Sequence, residues 1–290
     1  MKVKHFKKVD ELTFSDDYMF GEIMKDPDIC AHVIEVLLKI KVERIEYPER
    51  QKIFKESYDS KGVRFDVYVK NSDRVFDIEI QCRTVSNLPK RTRYYQSMID
   101  MDNLLKGETY DSLPESFIIF ICKKDPFSLN LPQYTFQNRC IEDNFLFLND
   151  KSTKVFYNAS SYGGAEDREL RAFLKFVAEN QAEDDFTRRL ERHILQTIRS
   201  ETFRREYMEM TLREHDLLYW GKQEGLEEGI ELGIAQGASQ KALEDARNFF
   251  ANGASIELIA KSLKMSESEI RELTKDIAPE IEQAQATTKL

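Results

Sequence analysis

The sequence of 290 residues contains little of several residue types that mark common protein classes. Its four cysteines include no Cys-x-x-Cys pair and no histidine at ligand spacing, which argues against a structural zinc site. No apolar run approaches the roughly 18 residues that a membrane-spanning helix needs. The first eleven residues are charged and lack the apolar segment of a signal peptide. We therefore expect a soluble cytoplasmic protein with reduced cysteines and no membrane partner.

Positive charge is outnumbered by negative charge, because 43 Lys and Arg stand against 52 Asp and Glu, a formal net charge of −9. An acidic surplus disfavours non-specific binding of nucleic acid by the whole surface. The surplus is uneven, however. Residues 216–290 contain eight basic and fourteen acidic residues, a net of −6, which leaves −3 for the first 215. A nearly neutral N-terminal part can still contain one groove that binds DNA.

Hydrophobic residues make up 41% of the chain, and their periodicity predicts an α/β fold with a central mixed sheet. Val63–Val69 and Val75–Cys82 alternate between apolar and polar residues around the turn-forming Asn71–Asp73, which predicts an antiparallel hairpin. The continuous apolar run Phe117–Cys122 predicts a strand buried on both faces. The other predicted elements are two helices between Ser15 and Lys39 separated at Pro27, strands over Ile40–Tyr47, Tyr134–Ile141 and Lys154–Asn158, and a helix over Lys90–Leu105.

The chain is predicted to be helical from Glu166 onwards, with a long helix over Phe186–Trp220. Glycine then recurs at every fourth residue from 221 to 237, which would place five glycines in one stripe on a helix. Such a stripe is typical either of close packing in helical self-association or of a half-formed linker helix. The last segment predicts two short helices with a capping box at Ser266. Because its second helix is acidic, a small packing bundle is favoured over a helix-turn-helix that reads DNA.

Three polar residues of the predicted hairpin form a candidate metal site. Glu79 and Gln81 are two residues apart in one strand and therefore point to the same face, which Asp66 of the partner strand shares if the hairpin pairs in this register. Two carboxylates and the backbone carbonyl of Ile80 suit Mg²⁺, which would polarise a phosphoryl oxygen and activate water. The alternative is that these residues only form the solvent face of an antiparallel hairpin.

The following helix contains a local basic and aromatic patch. Arg91 and Tyr95 are four residues apart and share a helical face, with Lys90 and Arg93 beside them. These residues suit contact with DNA phosphates near a metal. The alternative is that Tyr94 or Tyr95 packs on the sheet and the arginines are solvated.

The combination of these motifs resembles the PD-(D/E)XK nuclease superfamily, and specifically its recombination-promoting nuclease and transposase branch. The resemblance runs from about Leu12 to about Phe127. It rests on four segments, which are Thr13–Phe20, Arg64–Val67, Asp77–Gln81 and Pro89–Tyr95. The glycine repeat and the closing helices also resemble that branch.

The resemblance implies a restriction-endonuclease-like αβββαβ core and metal-dependent cleavage of DNA, with Mg²⁺ or Mn²⁺ as cofactor. Asp66 and Glu79 match the two motif acids, and Gln81 stands where the superfamily has lysine. A glutamine can hydrogen-bond water or a phosphate oxygen but supplies no positive charge. Asp17 matches an acidic residue on the first helix, a possible further metal ligand. Asp in a first helical turn is equally explained by the helix dipole, and Asp16 is an equal candidate.

We therefore predict a nuclease-like domain at residues 1–165, a helical extension at 166–220, a glycine-stripe helix or linker at 221–252 and a small helical tail at 253–290. The leading hypothesis is an endonuclease that hydrolyses DNA phosphodiesters in recombination or mobile-element activity, and that forms homo-oligomers through its C-terminal helices. The alternative is a non-catalytic scaffold that keeps the nuclease fold and assembles through those helices.

Overall fold

The chain divides into two units, residues 1–209 and 210–290. The computed structural model describes residues 6–42, 45–50, 53–54, 63–71, 73–83 and 85–275. No helix within these ranges is long and apolar enough to cross a membrane. The unit boundary falls inside one long helix.

The first unit is an α/β fold built on a six-stranded mixed sheet with strand order β1-β4-β5-β6-β8-β7. Antiparallel pairing joins β1 to β4, β4 to β5 and β7 to β8, whereas β5, β6 and β8 run parallel. The sheet strands are β1 (Glu46–Arg50), β4 (Val67–Asn71), β5 (Arg74–Gln81), β6 (Glu115–Cys122), β7 (Gln133–Phe136) and β8 (Ser152–Asn158). A separate two-stranded pair consists of β2 (Ile53–Phe54) and β3 (Val63–Arg64). This architecture confirms the predicted restriction-endonuclease-like class and its mixed sheet.

Helices cover both faces of the sheet. On one face lies α3, whose buried Tyr95, Met98 and Ile99 share a core with Phe120 of β6. On the other face, the hydroxyl of Tyr157 in β8 donates to the carbonyl of Leu37 at the end of α2. The helices of this unit are α1 (Asp17–Ile23), α2 (Pro27–Leu38), α3 (Leu88–Asn103), α4 (Arg168–Glu179), α5 (Asp185–Arg199) and the start of α6 (Glu201–Ala251). Asp26 caps α2 by accepting hydrogen bonds from the amides of residues 28 and 29.

Several predicted boundaries are wrong, for local reasons. The strand predicted from Ile40 begins only at Glu46, because Lys39 ends α2 in a left-handed conformation (φ 55°) and residues 40–42 are irregular; residues 43–44 lie outside the described ranges. The strand predicted over Tyr134–Ile141 ends at Phe136, where its pairing with β8 stops. The helix predicted over Phe186–Trp220 is interrupted at Ser200, whose extended backbone (ψ 121°) separates α5 from α6.

The predicted hairpin forms as β4 and β5, but its first strand is shorter than the sequence alternation indicates. The chain bends at Asp66, so β3 and β4 are separate strands rather than one strand over Val63–Val69. As a result, Phe65 and Tyr68 stack at 5.5 Å within the core beneath α3 instead of alternating between faces. Ser72 of the predicted turn lies outside the described residues.

The second unit is helical throughout its described part. The glycine repeat lies inside α6, which continues to Ala251, and Gly253 (φ 84°) follows this helix. The short helices α7 (Ile256–Leu263) and α8 (Glu267–Thr274) come next, with the predicted capping box between Ser266 and Glu269. The small core of this unit contains Ala246, Ile259, Ala260 and Ile270. The four-part division of the chain stays a prediction.

Candidate active site

The two predicted acids meet where the β4–β5 ladder ends. The last paired residues are Val67 and Ile78, and beyond them the bend turns Asp66 towards β5. The amide of Asp66 donates to Oε1 of Glu79 at 2.9 Å, and the amide of Ile80 donates to Oδ2 of Asp66 at 3.2 Å. Each carboxylate is therefore held by the backbone of the other strand. In a strand the N–H and C=O of one residue point to the same side, so the Ile80 carbonyl faces this edge as well.

Arg91 of α3 closes the cluster from above the sheet. Its Nη2 donates to Oε2 of Glu79 at 2.5 Å, its Nη1 to Oε1 of Gln81 at 3.2 Å and its Nε to the hydroxyl of Tyr95 at 2.7 Å. The guanidinium lies 5.0 Å from the Tyr95 ring centroid and 5.2 Å from that of Phe120, which adds cation–π attraction. The structure thus brings Asp66, Glu79, Gln81, Arg91 and Tyr95 together.

Tyr95 is buried beneath this cluster. Its side chain is 6% exposed and its ring packs edge-on against Phe65 at 4.9 Å. Burial and the charge on Glu79 raise the pKa of the Tyr95 hydroxyl, which therefore stays neutral. In this position the tyrosine orients Arg91 and presents no open face to DNA.

The other predicted residues lie around the cluster. Lys90 and Arg93 are exposed on α3, outside the hydrogen-bonded group. Asp17 is the first residue of α1 and is exposed. Burial is the main cause of the raised pKa of the Cys82 thiol, and the negative charges of Asp17 and Asp16 raise it further. The start of α1 therefore lies near the end of β5. Asp16 accepts hydrogen bonds from the amide of Thr13 at 2.7 Å and from the ammonium of Lys7 at 2.8 Å.

Glu79 does not lie on a solvent face, because α3 covers it and leaves it 1% exposed. Burial and the neighbouring charge of Asp66 raise the pKa of Glu79 to about 8, while Arg91 acts in the opposite direction. The solvent-face explanation of the alternating pattern is therefore wrong for this residue. A carboxyl group whose pKa is raised in this way is characteristic of a functional site.

The structure adds one residue that the sequence reasoning left without a role. Asp77 precedes Glu79 by two residues on the same face and is 0% exposed. Its carboxyl lies beside that of Glu79, and among the described residues no group outside this acid pair hydrogen-bonds to it. Burial and the charges of Glu79 and Asp66 raise its pKa well above the usual range. The spacing of two from Glu79 was the only available signal, and it does not reveal burial.

The donor set of the cluster fits a hard divalent cation. Two carboxylates and one backbone carbonyl face the same edge, and Mg²⁺ commonly binds one or two protein carboxylates while it keeps several waters. Within the described ranges, no group of three or more His, Cys, Asp and Glu side chains is arranged to hold a metal. A cation at this site would therefore depend on water or substrate oxygens for its remaining ligands.

A family model described as PD-(D/E)XK nuclease family transposase matches residues 14–218. The chain belongs to this family. The match extends from just before α1 into α6 and includes every residue of the cluster. Searches of curated proteins and of solved structures found no match. Family membership supports a nuclease or transposase-like role, with DNA as the substrate class.

Proposed function

We propose that this PD-(D/E)XK family member is an endonuclease that hydrolyses DNA phosphodiesters with Mg²⁺ or Mn²⁺. The observation that carries the proposal is the cluster of Asp66, Glu79, Gln81 and Arg91 at the end of β5, with one carboxyl buried and its pKa raised. A setting in recombination or mobile-element activity is part of the proposal and follows from the family alone.

Asp66 and Glu79 would hold the cation, with the Ile80 carbonyl as a further ligand and Asp17 beside the site. A bound divalent ion stabilises negative charge on the phosphoryl group and lowers the pKa of water. The carboxylates contribute rigidity, because each accepts a backbone hydrogen bond from the opposite strand. Such preorganisation keeps the ligands in place before substrate arrives.

Gln81 and Arg91 would act on the substrate side. The Gln81 amide is neutral, so it can orient a water or a phosphate oxygen without adding charge. Arg91 contacts Gln81 and Glu79 together, so its guanidinium lies where a phosphate beside the carboxylates would also be. Planar guanidinium groups bind phosphate through two parallel hydrogen bonds. Lys90 and Arg93, exposed on the same helix, suit contact with neighbouring phosphates.

Nicking of supercoiled plasmid DNA tests this proposal. Wild-type protein should nick the plasmid with Mg²⁺ or Mn²⁺ and lose activity in EDTA. Asp66→Asn and Glu79→Gln should each lower the rate at least about 100-fold, because each keeps the shape of the side chain but removes the negative charge that would bind the cation. Asp111→Asn, at an exposed position outside the cluster, is the matched control and should retain full activity. Equal nicking by all four proteins would refute the assignment.

Assembly through the C-terminal helices, which the nuclease and the scaffold hypotheses share, is supported by one observation in the second unit. A side chain added at any of the five glycines of α6 would meet no atom within 4 Å among the described residues. Leu226, Ile230 and Ile234, each next to a glycine, are exposed. A helix face of this kind suits association with another helix, and we propose that it joins copies of this chain. Calorimetric titration separates the alternatives, because a scaffold would show no metal binding that depends on Asp66 and Glu79.

A further inference from the structure

A cavity of about 780 Å³ lies along α3, and its lining does not include the residues of the candidate active-site cluster. Thr92, Arg93, Gln96 and Asp100 line it and recur at three- and four-residue spacing, so they form one face of the helix. Arg91, two residues from Arg93, projects from a different face of the helix. The volume lies within the range of pockets that bind small molecules and nucleotides.

One wall of the cavity is a hydrogen-bonded polar network. Nε2 of Gln96 donates to Ser116 Oγ at 2.8 Å and to Asp100 Oδ1 at 2.8 Å, and Ser152 Oγ donates to Gln96 Oε1 at 2.7 Å. Lys154 then donates to the Ser152 hydroxyl. Three separate elements, α3, β6 and β8, are linked by this network, which makes the wall preorganised rather than loose.

The charges of the cavity cancel. Arg93 and Lys154 contribute two positive charges, and Asp100 and Asp150 contribute two negative ones. The Lys154 ammonium is half-buried, and among the described residues Ser152 is its only hydrogen-bond partner, so two of its three donors are available. Burial lowers its pKa, against the attraction of Asp150 and Asp100. A neutral ligand with both donors and acceptors fits this wall better than a phosphate does.

The adjoining wall is aromatic, because Phe136 of β7 is the cross-strand partner of Lys154 in β8. The rings of Phe136 and Phe127 lie 5.2 Å apart, and both contact Phe156, at 5.7 Å and 5.0 Å. Phe136 is 45% exposed, so part of its ring is open to a ligand. Stacking of bases on aromatic side chains is a main source of binding energy for unpaired nucleic acid strands. A flat ring with hydrogen-bonding edges matches both walls.

We propose that this cavity accepts one unpaired nucleobase of the DNA strand bound at the candidate active site. The base would stack on Phe136 and hydrogen-bond with Lys154 and the carboxylate of Asp100, while Arg93 contacts the adjoining backbone. Enzymes that unstack a base place it in such a pocket. This inference rests on the proposed function, because it assumes that DNA approaches α3.

Fluorescence titration with a short single-stranded oligonucleotide that contains one 2-aminopurine tests the pocket in EDTA, where cleavage plays no part. Wild-type protein should bind it and change its fluorescence. Phe136→Leu and Lys154→Met should weaken binding at least about five-fold and abolish most of the fluorescence change. Phe136→Tyr keeps the ring and should restore both. Phe145→Leu, at a residue that is 92% exposed and outside the cavity, is the matched control and should behave as wild type.

The results of the binding and nicking assays together distinguish the pocket inference from the proposed nuclease activity. If wild-type protein nicks plasmid while the Phe136 and Lys154 variants bind the probe unchanged, the pocket inference is overturned and the proposed function stands. If no nicking occurs but the variants lose binding as expected, the pocket is supported without the nuclease. Failure of wild-type protein to bind the oligonucleotide overturns the inference and leaves another occupant, such as a protein segment. Thermal melting checks that each variant is folded.

Discussion

The affinity of the candidate site for Mn²⁺ should rise steeply with pH, because the buried Glu79 carboxyl must lose its proton before it can bind a cation. Burial and Asp66 raise the pKa of this group to about 8 in the metal-free protein, in spite of Arg91 at 2.5 Å. Protons and metal ions therefore compete for the same oxygen atoms near neutral pH.

The size of the effect follows from the pKa. With a single group of pKa about 8, the ionised fraction is about 1% at pH 6 and about half at pH 8, so the apparent affinity should rise about 50-fold between them. A site with ordinary carboxylates would instead show a nearly flat affinity over this range, because its ligands are already ionised at pH 6. Binding at pH 6–7 should also release about one proton per cation.

Isothermal titration calorimetry in two buffers of different ionisation enthalpy measures both quantities. Glu79→Gln should bind more weakly and lose the pH dependence, since no proton remains to be displaced. Glu115→Gln, which removes a carboxylate paired with Arg74 at the other end of the parallel strands, is the control and should keep the dependence. A wild-type affinity that changes less than about three-fold from pH 6 to pH 8 would refute the link between burial of Glu79 and metal binding.

Three further predictions concern stability and assembly. Asp77→Val removes a fully buried carboxyl that lies against the like-charged Glu79 and should raise the free energy of unfolding by about 1–3 kcal/mol, as measured by urea denaturation; a loss of stability would show that the contact with Glu79 outweighs the cost of burial. Arg91→Met should lower that free energy by about 3 kcal/mol at pH 9, where Glu79 is ionised in the wild type and loses its charged partner in the variant, and by less at pH 6; equal losses would contradict the ion pair. Ile230→Glu on α6 should reduce the oligomer mass seen by light scattering, whereas Glu228→Gln should not; an unchanged mass would remove this helix from assembly.

The sequence alone was sufficient to predict the elements whose signal lies in the order of neighbouring residues. Alternation over Val75–Cys82 and the apolar run Phe117–Cys122 predicted β5 and β6, since strand periodicity and two-sided burial leave a direct mark on residue order. Capping chemistry placed the capping box at Ser266 correctly for the same reason. Strand ends were less predictable. β7 ends at Phe136, where its pairing with β8 stops, and the residue types in Gln137–Ile141 do not indicate this end.

The candidate site shows why burial, rather than residue type, was the missing information. Asp77 and Glu79 form the same alternating pattern that an exposed hairpin would have, and the sequence alone allows both. Whether these acids are exposed or buried depends on α3, which packs across the sheet. Arg91 of this helix contacts Glu79, which lies 12 residues before it in the sequence. A spacing of four between Arg91 and Tyr95 indicated that they share a face, but not that the tyrosine would be the buried support of the arginine. The chemistry of this site therefore depends on a contact between elements, and substitutions in α3 should alter the behaviour of Glu79 as strongly as changes beside it in β5.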